Sequence, residues 1–387
     1  MKAVDVAFPL GASVTLEALD IDPYPMLAEL RAHEPVSWVP VLDGWLVTRR
    51  ELCVEVMRDV VTFTVDDPRF STAQVVGPSM LSLDGEEHRR HRDPFAAAFL
   101  RPEARARFSD RVEGIARELV ADLAPAGRAE IRRDLAGPVA VRVVAAALDL
   151  LDVAPTTVLG WYDEIVAAVD RVSVGGEVGP AGRAAAAALE RHVIATIDRG
   201  RGVLADAMAT QTTSGVASNA AVMMFGGIET SEGMTTTLLW HLLRDPAAWD
   251  AVVADPSLRA GAIEESLRLE PAAGRVDRYA TTDVSLASAE IRRGDLVIVS
   301  LTGANRDPAS FADPDRFDLR RTEARSHVAF AQGPHACVGP HLARVETRAA
   351  LDAVIDLWPG IGLADGVTPP TGVVFRKPRS LPVVWDA

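Results

Sequence analysis

The sequence predicts one mainly α-helical domain, covering residues 1–387, with a small β-rich lobe. Residues 101–210 carry Ala, Leu and Val at the spacing of amphipathic helices, and residues 218–244 are apolar almost all round, as in a helix that crosses a core. The lobe is predicted from short β-branched segments within residues 36–48, 277–300 and 373–385. Because 48% of the residues are hydrophobic and no repeat or linker interrupts the chain, one large core is expected.

Charge and cysteine content narrow the class of protein. The formal net charge is −14 and the basic residues are scattered, so the sequence has no electrostatic footprint for nucleic acid. The two cysteines, Cys53 and Cys337, are far apart, which argues against a disulfide framework and for a reducing compartment. The first residues carry an acid and a proline where a signal peptide would be apolar. We therefore expect a cytoplasmic protein without a membrane anchor.

The N-terminal part is expected to hold a tail, a helix and a small sheet. A tail of about residues 1–20 precedes a helix with proline in its first turn, near residues 22–30. An Asp-Gly turn predicts a hairpin within residues 36–48, and a helix follows over about residues 51–58. Residues 64–83 then show no period. Stretches of this length inside a domain are usually lids or binding loops.

A short basic run follows this loop and contains His88 and Arg92. On a helix these two side chains are spaced i, i+4 and face the same way, as two donors aimed at one anion would be. A solvated basic helix face is the alternative interpretation of the same run. The run alone does not separate the two.

The long apolar run contains a group of residues that is costly inside a helix. Gly226 and Gly227 stand in its middle, and each mid-helix glycine costs about 1 kcal/mol relative to alanine. Glu229 and Thr230 follow, and a buried acid must be paired or hydrated. A distorted turn with a carboxylate and a hydroxyl could hold dioxygen and relay protons. Glycines for close helix crossing and a threonine bonded to the preceding turn are the alternative.

The segment 330–344 organises the C-terminal part. Cys337 lies in a turn rich in Gly and Pro, directly before an apolar helical pattern, where unpaired N–H groups and the helix dipole favour a thiolate. Three interpretations remain open on residue type alone. Cys337 is a small buried residue, a zinc ligand together with His327, His335 and His341, or a ligand of haem iron.

This segment resembles the cysteine-ligand loop of the cytochromes P450, Phe-Gly-x-Gly-x-His-x-Cys-x-Gly followed by Leu-Ala-Arg. Only Ala331 departs from that pattern, where the family usually has glycine. The run from Gly226 to Thr230 is similar to the family's oxygen-activation motif. The resemblance implies that Glu229 and Thr230 are the catalytic acid and alcohol. It also implies a long central helix over the haem and a cysteine loop before a C-terminal helix.

The resemblance implies haem b as the cofactor, with Cys337 as the ligand of its iron. Arg275 is a nearby rival of Arg278 as a partner of a haem propionate. The residues implied to bind the cofactor are His88, Arg92, Gly226, Arg278, Phe330, His335, Cys337 and Gly339. A structural network is implied for Glu265 and Arg268, completed by Arg316 in a Pro-x-Arg-Phe segment.

The implied activity is that of a haem-thiolate monooxygenase, which inserts one atom of dioxygen into a hydrophobic organic substrate of small to medium size. Arg275 could anchor a polar group of that substrate. The residues implied to line the substrate pocket are Met80, Leu81, Val222, Phe225, Ala273, Arg275, Val276 and Val374. Hydroxylation, epoxidation, dealkylation and coupling are not separated by sequence.

Electrons are expected from a separate partner, because the fold leaves no room for a flavin or nicotinamide domain. An iron-sulfur ferredoxin or a flavodoxin, with its reductase, is implied, and the helix around Arg89 and Arg90 is a candidate docking face. A peroxide-driven peroxygenase is the alternative enzyme, although its relatives typically lack the acid-alcohol pair present here. A non-catalytic haem-thiolate or zinc-binding protein is the alternative from another class.

Overall fold

A computed structural model describes residues 7–100, 102–173, 176–200 and 202–386. The helices are α1 Pro9–Ser13, α2 Leu16–Ile21, α3 Tyr24–His33, α4 Arg50–Arg58, α5 Ser71–Val76, α6 Gly85–Leu100, α7 Pro102–Leu123, α8 Gly137–Ala147, α9 Pro155–Ser173, α10 Pro180–Ile197, α11 Val203–Ala207, α12 Thr213–Leu243, α13 Pro246–Ala254, α14 Leu258–Leu269, α15 Leu301–Ala304 and α16 Pro340–Leu357. The strands are β1 Val36–Val39, β2 Gly44–Val47, β3 Phe63–Thr64, β4 Arg128–Glu130, β5 Arg275–Ala280, β6 Val284–Leu286, β7 Ala289–Ile291, β8 Leu296–Ser300, β9 Gly362–Leu363, β10 Pro370–Thr371, β11 Lys377–Pro378 and β12 Pro382–Val384. The prediction of a mainly α fold with a small β lobe is confirmed.

Helix α12 runs through the interior. The Thr212 hydroxyl caps its first turn by accepting a hydrogen bond from the Gly215 N–H at 3.2 Å, and most of its residues are buried. The helix is continuous past Gly226 and Gly227, so the predicted distorted turn is not found. A Cβ on Gly227 would lie 2.5 Å from the Val144 side chain of α8. Glycine is needed there because the two helices pack closely.

The core surrounds α12 on both sides. One cluster joins it to α7, α8, α14 and α16, and a second joins it to α9, α10 and α11. None of the helices in the described ranges is long and apolar enough to cross a membrane. The central helix is thus held by helices on both sides, while its middle faces the cavity described below.

The main sheet has the strand order β1-β2-β8-β5-β3. The predicted hairpin is present, with Val36 opposite Val47, and Asp43 in its turn adopts φ 47°. Strand β8 adds to β2 in parallel and to β5 antiparallel. The sheet therefore carries β5 at the edge of the cavity.

Three local expectations are corrected. Of the predicted tail, residues 1–6 lie outside the described ranges, and the rest is not a tail, because α1 and α2 fold and Phe8 and Leu19 are buried. The lid-like stretch 64–83 contains the short helix α5. Residues 373–375 form only an isolated bridge, between Ala273 and Phe375.

Candidate active site

A largely apolar cavity lies between α12, the cysteine loop and the start of α16. It encloses about 1360 Å³ of space free of protein atoms, part of which opens to solvent. The predicted site residues that line it are Met80, Leu81, Arg92, Val222, Gly226, Thr230, Ala273, Val276, Phe330, His335, Cys337 and Gly339. A Cβ built on Gly226 would meet no atom within 4 Å, so this glycine borders open space. The cavity brings most of the predicted residues together.

The cysteine loop turns the thiol into this cavity. The Cys337 N–H donates to the Phe330 carbonyl at 2.9 Å, and the Gly339 N–H donates to Cys337 Sγ at 3.3 Å. Arg92, from α6, donates to the Ala336 carbonyl. Backbone bonds and one guanidinium therefore fix the segment on both sides of the sulfur.

The pKa of the Cys337 thiol differs from the sequence-based expectation. Burial raises this pKa, and the Gly339 N–H, Arg92 and Arg344 only partly offset the effect. Helix α16 begins at Pro340, which has no N–H to offer the sulfur. The protein by itself thus favours the thiol.

Two residues of the loop have left-handed backbone conformations. Gly333 has φ 75°, and a Cβ there would lie 2.4 Å from the Met57 carbonyl oxygen. Ala331, the one departure from the family pattern, has φ 56°. Left-handed backbone costs a non-glycine residue roughly 1 to 2 kcal/mol, so the alanine is strained where glycine would not be.

Basic side chains from three elements meet beside the thiol. His88 and His335 lie with their ring centroids 4.3 Å apart and close to Arg92, and the buried Arg278 shares with His88 the neighbouring carboxylate of Asp84. Within the described ranges, His88 Nε2, His335 Nδ1 and Arg278 Nε are buried without a hydrogen-bond partner. Burial, together with the neighbouring His335 and Arg92, lowers the pKa of His88 to about 4. These side chains therefore have nitrogens that an added anion could bind.

Asp84 is a member of this cluster that the sequence did not reveal. Its carboxylate lies 2.7 Å from His335 Nε2 and accepts hydrogen bonds from the Thr64 hydroxyl and the Val65 N–H. Burial raises the pKa of Asp84, but these hydrogen bonds lower it by more, so that the pKa falls to about 2. In the sequence, Asp84 before Gly85 is indistinguishable from an ordinary helix-start aspartate.

The acid and alcohol of α12 point in different directions. Thr230 lines the cavity, and its hydroxyl donates to the Gly226 carbonyl one turn earlier. Glu229 is turned away from the cavity lining. Its carboxylate accepts a hydrogen bond from the Tyr162 hydroxyl at 2.5 Å and an ion pair from Lys377 Nζ at 2.7 Å. The threonine therefore faces the cavity, while the glutamate is held behind it.

A second acid reaches the cavity. Glu346 of α16 lines it, is buried, and has one carboxyl oxygen without a partner in the described structure. Burial raises the pKa of Glu346 to about 8, and a hydrogen bond with Ser231 offsets this only slightly. Its carboxyl group is therefore mostly protonated at neutral pH. Sequence reasoning missed it, because Glu346 has no signal beyond an acid in an apolar helical pattern.

The structural network forms with a different arginine from the one predicted. Glu265 pairs with Arg268 through two bonds of 2.7 and 2.8 Å, and its third cationic contact is Arg321 Nε at 3.0 Å. Arg316 is instead 68% exposed and lies 3.8 Å from Asp318, contributing only its carbonyl oxygen to Arg268. The assignment of Arg316 is wrong, because its side chain points to solvent.

A neighbouring ion cluster holds the entry and exit of the cysteine loop. Glu264 pairs with Arg344 at 2.5 and 2.9 Å and lies 3.2 Å from His327 Nε2. The Arg344 guanidinium in turn lies 4.6 Å from the centre of the Phe330 ring. Burial raises the pKa of Glu264, but these partners lower it to about 2. Residues before and after the thiol are thus tied to α14.

Three predicted pocket residues do not line the cavity. Phe225 packs edge-on against a neighbouring phenylalanine, and Val374 is exposed. Arg275 lies one position before Val276 on β5, and successive strand residues face opposite sides. Its Nε is 3.6 Å from Asp277 on that other side. The role of Arg275 as a substrate anchor is therefore corrected.

The arrangement fits a haem and does not fit zinc. The orphaned cationic and imidazole nitrogens can take the two propionates, and the thiol faces the adjoining space. For zinc, His327 and His335 are already paired with Glu264 and Asp84. Across the described ranges, no three His, Cys, Asp or Glu residues are grouped as a metal site would need.

Comparison with known proteins identifies the family. The family model described as Cytochrome P450 matches residues 256–357. The chain is 33% identical to 20-oxo-5-O-mycaminosyltylactone 23-monooxygenase of Streptomyces fradiae, over 92% of this chain and 88% of the relative. It is 32% identical to nocardicin C N-oxygenase of Nocardia uniformis subsp. tsuyamanensis, over 98% of both chains.

A solved structure gives the same answer at the level of the fold. The crystal structure of CalO2 superposes with a TM-score of 0.87 at 27% identity, covering 96% of this chain and 98% of that one. Two of the relatives are named monooxygenases, and haem is the family's cofactor. The chain accordingly belongs to the cytochrome P450 family and is a haem-dependent monooxygenase.

Proposed function

We propose that this chain holds haem b, with Cys337 as the iron ligand and His88, Arg92, Arg278 and His335 as partners of the propionates. The observation that carries the proposal is the set of buried, unpartnered nitrogens beside a thiol that faces an open cavity. An anion placed there would satisfy these donors with charge-assisted hydrogen bonds. When bound, thiolate-ligated haem supplies the activation of dioxygen for insertion of one oxygen atom into the substrate.

The part of Thr230 is to present a hydroxyl to the cavity. Its donation to the Gly226 carbonyl fixes the hydroxyl oxygen as an acceptor for a proton-bearing group or water on the cavity side. Once its contact with Lys377 opens, Glu229 would take up a proton from solvent and pass it on through Tyr162 or water. The protein would thereby place an accepting hydroxyl at the cavity and a relaying carboxylate behind it.

The substrate proposed for the cavity is a hydrophobic organic molecule of small to medium size. Met80, Leu81, Val222 and Val276 offer apolar walls, and Gly226 leaves open space beside them. The names of two relatives specify oxidation of 20-oxo-5-O-mycaminosyltylactone and of nocardicin C. Oxidative tailoring in secondary metabolism is therefore the proposed role, with the reaction type left to experiment.

A separate redox partner would deliver the electrons. We propose an iron-sulfur ferredoxin or a flavodoxin, with its reductase, acting in the cytoplasm. Arg89 and Arg90 lie on the exposed side of α6, although Arg90 already pairs with Glu87. Arg89→Glu should slow electron transfer and reduce its dependence on salt, because one cationic contact is reversed. An unchanged rate and salt dependence would reject α6 as the docking face.

The decisive test of the cofactor proposal is spectroscopic. The reduced protein with carbon monoxide should show the long-wavelength Soret band of a thiolate-ligated haem, and Cys337→Ala should lose that band. A haem-free protein, or an unchanged band in the variant, would reject the assignment. Product formation with peroxide alone, without an electron partner, would favour the peroxygenase instead.

We also propose that residues 1–387 form one domain, since residues as distant as Met80 and Glu346 build this cavity.

A further inference from the structure

The segment 76–81, called the cavity roof below, contributes Met80 and Leu81 to the cavity lining and is bonded to side chains of the central helix. Met80, which lines the cavity, is buried, and its N–H donates to Asn219 Oδ1 of α12 at 2.8 Å. A buried N–H without a partner costs roughly 1 to 3 kcal/mol, so this bond matters for where the segment rests. Asn219 is itself fully buried, seven residues before Gly226.

The amide of Asn219 has further partners that fix its orientation. Its Nδ2 lies 2.6 Å from Gln211 Oε1 and 3.0 Å from His91 Nδ1. Gln211 Nε2 in turn donates to the His91 carbonyl at 3.1 Å. Both amide hydrogens of Asn219 are thereby used, which leaves Oδ1 to accept from Met80. An aspartate could keep this acceptor but would lose both donors.

The same network reaches the helix that carries two proposed partners of the haem. His91 lies on α6 between His88 and Arg92. A change in the Asn219 side chain would therefore affect both the contact of the cavity roof with α12 and the contact of α12 with α6. This places the asparagine at the junction of three elements that enclose the cavity.

A second contact supports the same attachment. The Ser218 hydroxyl donates to the Val76 carbonyl at the end of α5. Gly77 follows with φ 86°, and a Cβ there would lie 3.0 Å from Ser218 Oγ. The close approach of this glycine lets residues 76–80 lie directly on α12.

We propose that Asn219 is a positioning residue that fixes Met80, and with it the cavity roof, to the central helix and so pre-organises the cavity for ligands large enough to contact the roof. This inference rests on the proposed function of the cavity as the substrate site. The attachment itself is independent of that function, because it consists of contacts within the protein. The two can therefore be tested separately.

The attachment is tested by hydrogen-deuterium exchange of the haem-loaded protein. Asn219→Ala should raise the exchange rate of the Met80 amide about tenfold, since its hydrogen-bond acceptor is removed. Asn219→Asp, which keeps the acceptor but loses both donors, should retain more of the protection than Asn219→Ala. Gln211→Ala is the matched control, because it perturbs the same network and leaves the Met80 bond intact. Equal loss of protection in Gln211→Ala and Asn219→Ala would overturn the proposal.

A milder variant covers the case in which Asn219→Ala does not fold. Ser218→Ala removes only the hydroxyl contact to Val76 and the local bond within α12. It should raise exchange across residues 77–81 by about threefold. Unchanged exchange at these amides in every folded variant would also overturn the proposal.

The consequence for ligand size is tested by absorption titrations with imidazole and with 4-phenylimidazole. Asn219→Ala should leave the Kd of imidazole within about twofold and weaken 4-phenylimidazole about tenfold, because a loosened roof must be ordered on binding. Equal changes for both ligands would refute the pre-organisation of the roof for larger ligands. If neither ligand perturbs the spectrum of the parent protein, the proposed haem site fails, and the exchange data alone decide the attachment.

Discussion

Replacing Arg321 by alanine tests the corrected ion network directly. Arg321 Nε lies 3.0 Å from Glu265 Oε1, and the two side chains are only 6% and 0% exposed. A hydrogen bond to a buried charged group contributes about 1.5 to 3 kcal/mol. Arg321 also donates to the Asp313 and Arg316 carbonyls, so the upper part of that range applies. Arg268 still neutralises Glu265, which keeps the expected loss of unfolding free energy at about 2 to 3 kcal/mol.

Arg316 provides the matched control within the same segment. Its side chain is 68% exposed and its nearest carboxylate is 3.8 Å away, and exposed pairs of this kind contribute about 0 to 1 kcal/mol. Urea unfolding is followed by tryptophan fluorescence, with loss of the haem band as a second probe. The midpoint should fall for Arg321→Ala and stay almost unchanged for Arg316→Ala. Equal losses in the two variants, or a larger loss for Arg316→Ala, would refute the network described here.

Other predictions follow from single contacts. Ala331→Gly should raise the unfolding free energy by roughly 0.5 to 1 kcal/mol in urea titrations, because relief of the left-handed strain outweighs the added chain entropy; a loss would contradict the strain. Glu346→Gln should flatten the pH dependence of stability. The folded pKa of Glu346 is raised from 4.5 to about 8, so the parent loses stability as the pH rises through this window. If the urea midpoints of parent and variant change by the same amount between pH 5 and pH 8, Glu346 is not the cause of this loss. Lys377→Met should cost about 1 to 2 kcal/mol by thermal or urea unfolding, because the half-buried carboxylate of Glu229 loses its cation. The exposed Arg379→Met is the control, and equal effects would count against the pairing.

Local patterns predicted the mainly α fold well, and they placed Cys337 in a turn directly before a helix, as the structure has it. The apolar run of α12 and the sequence around Cys337 each depend on neighbours in the chain, and local spacing is visible in a sequence. The i, i+4 spacing of His88 and Arg92 places both side chains on one face of α6, while their role toward a propionate stays a proposal.

Contacts between distant segments were not predictable in this way. Asp84 meets His335 across 251 positions, and nothing near either residue encodes that pairing. Arg316 and Arg321 stand five residues apart in an arginine-rich loop, and only the turn geometry decides which one points inward. Glu346 shares the helical spacing of its apolar neighbours, so its position at the cavity depends on how α16 packs. The limit is therefore tertiary geometry, which one sequence does not display.

The two contacts of Lys377 also provide a chemical reporter. Lys2 and Lys377 are the only lysines in the sequence, and Lys377 Nζ lies 2.7 Å from both Glu229 and Glu232. An amine held in two ion pairs is a poor nucleophile toward acylating reagents, because it must first leave its carboxylates and lose a proton. The rate at which Lys377 is acylated, followed by peptide mass spectrometry, would therefore measure how often strand β11 separates from α12. The acylation rate of this one amine thus reports how often Glu229 is released in the folded protein.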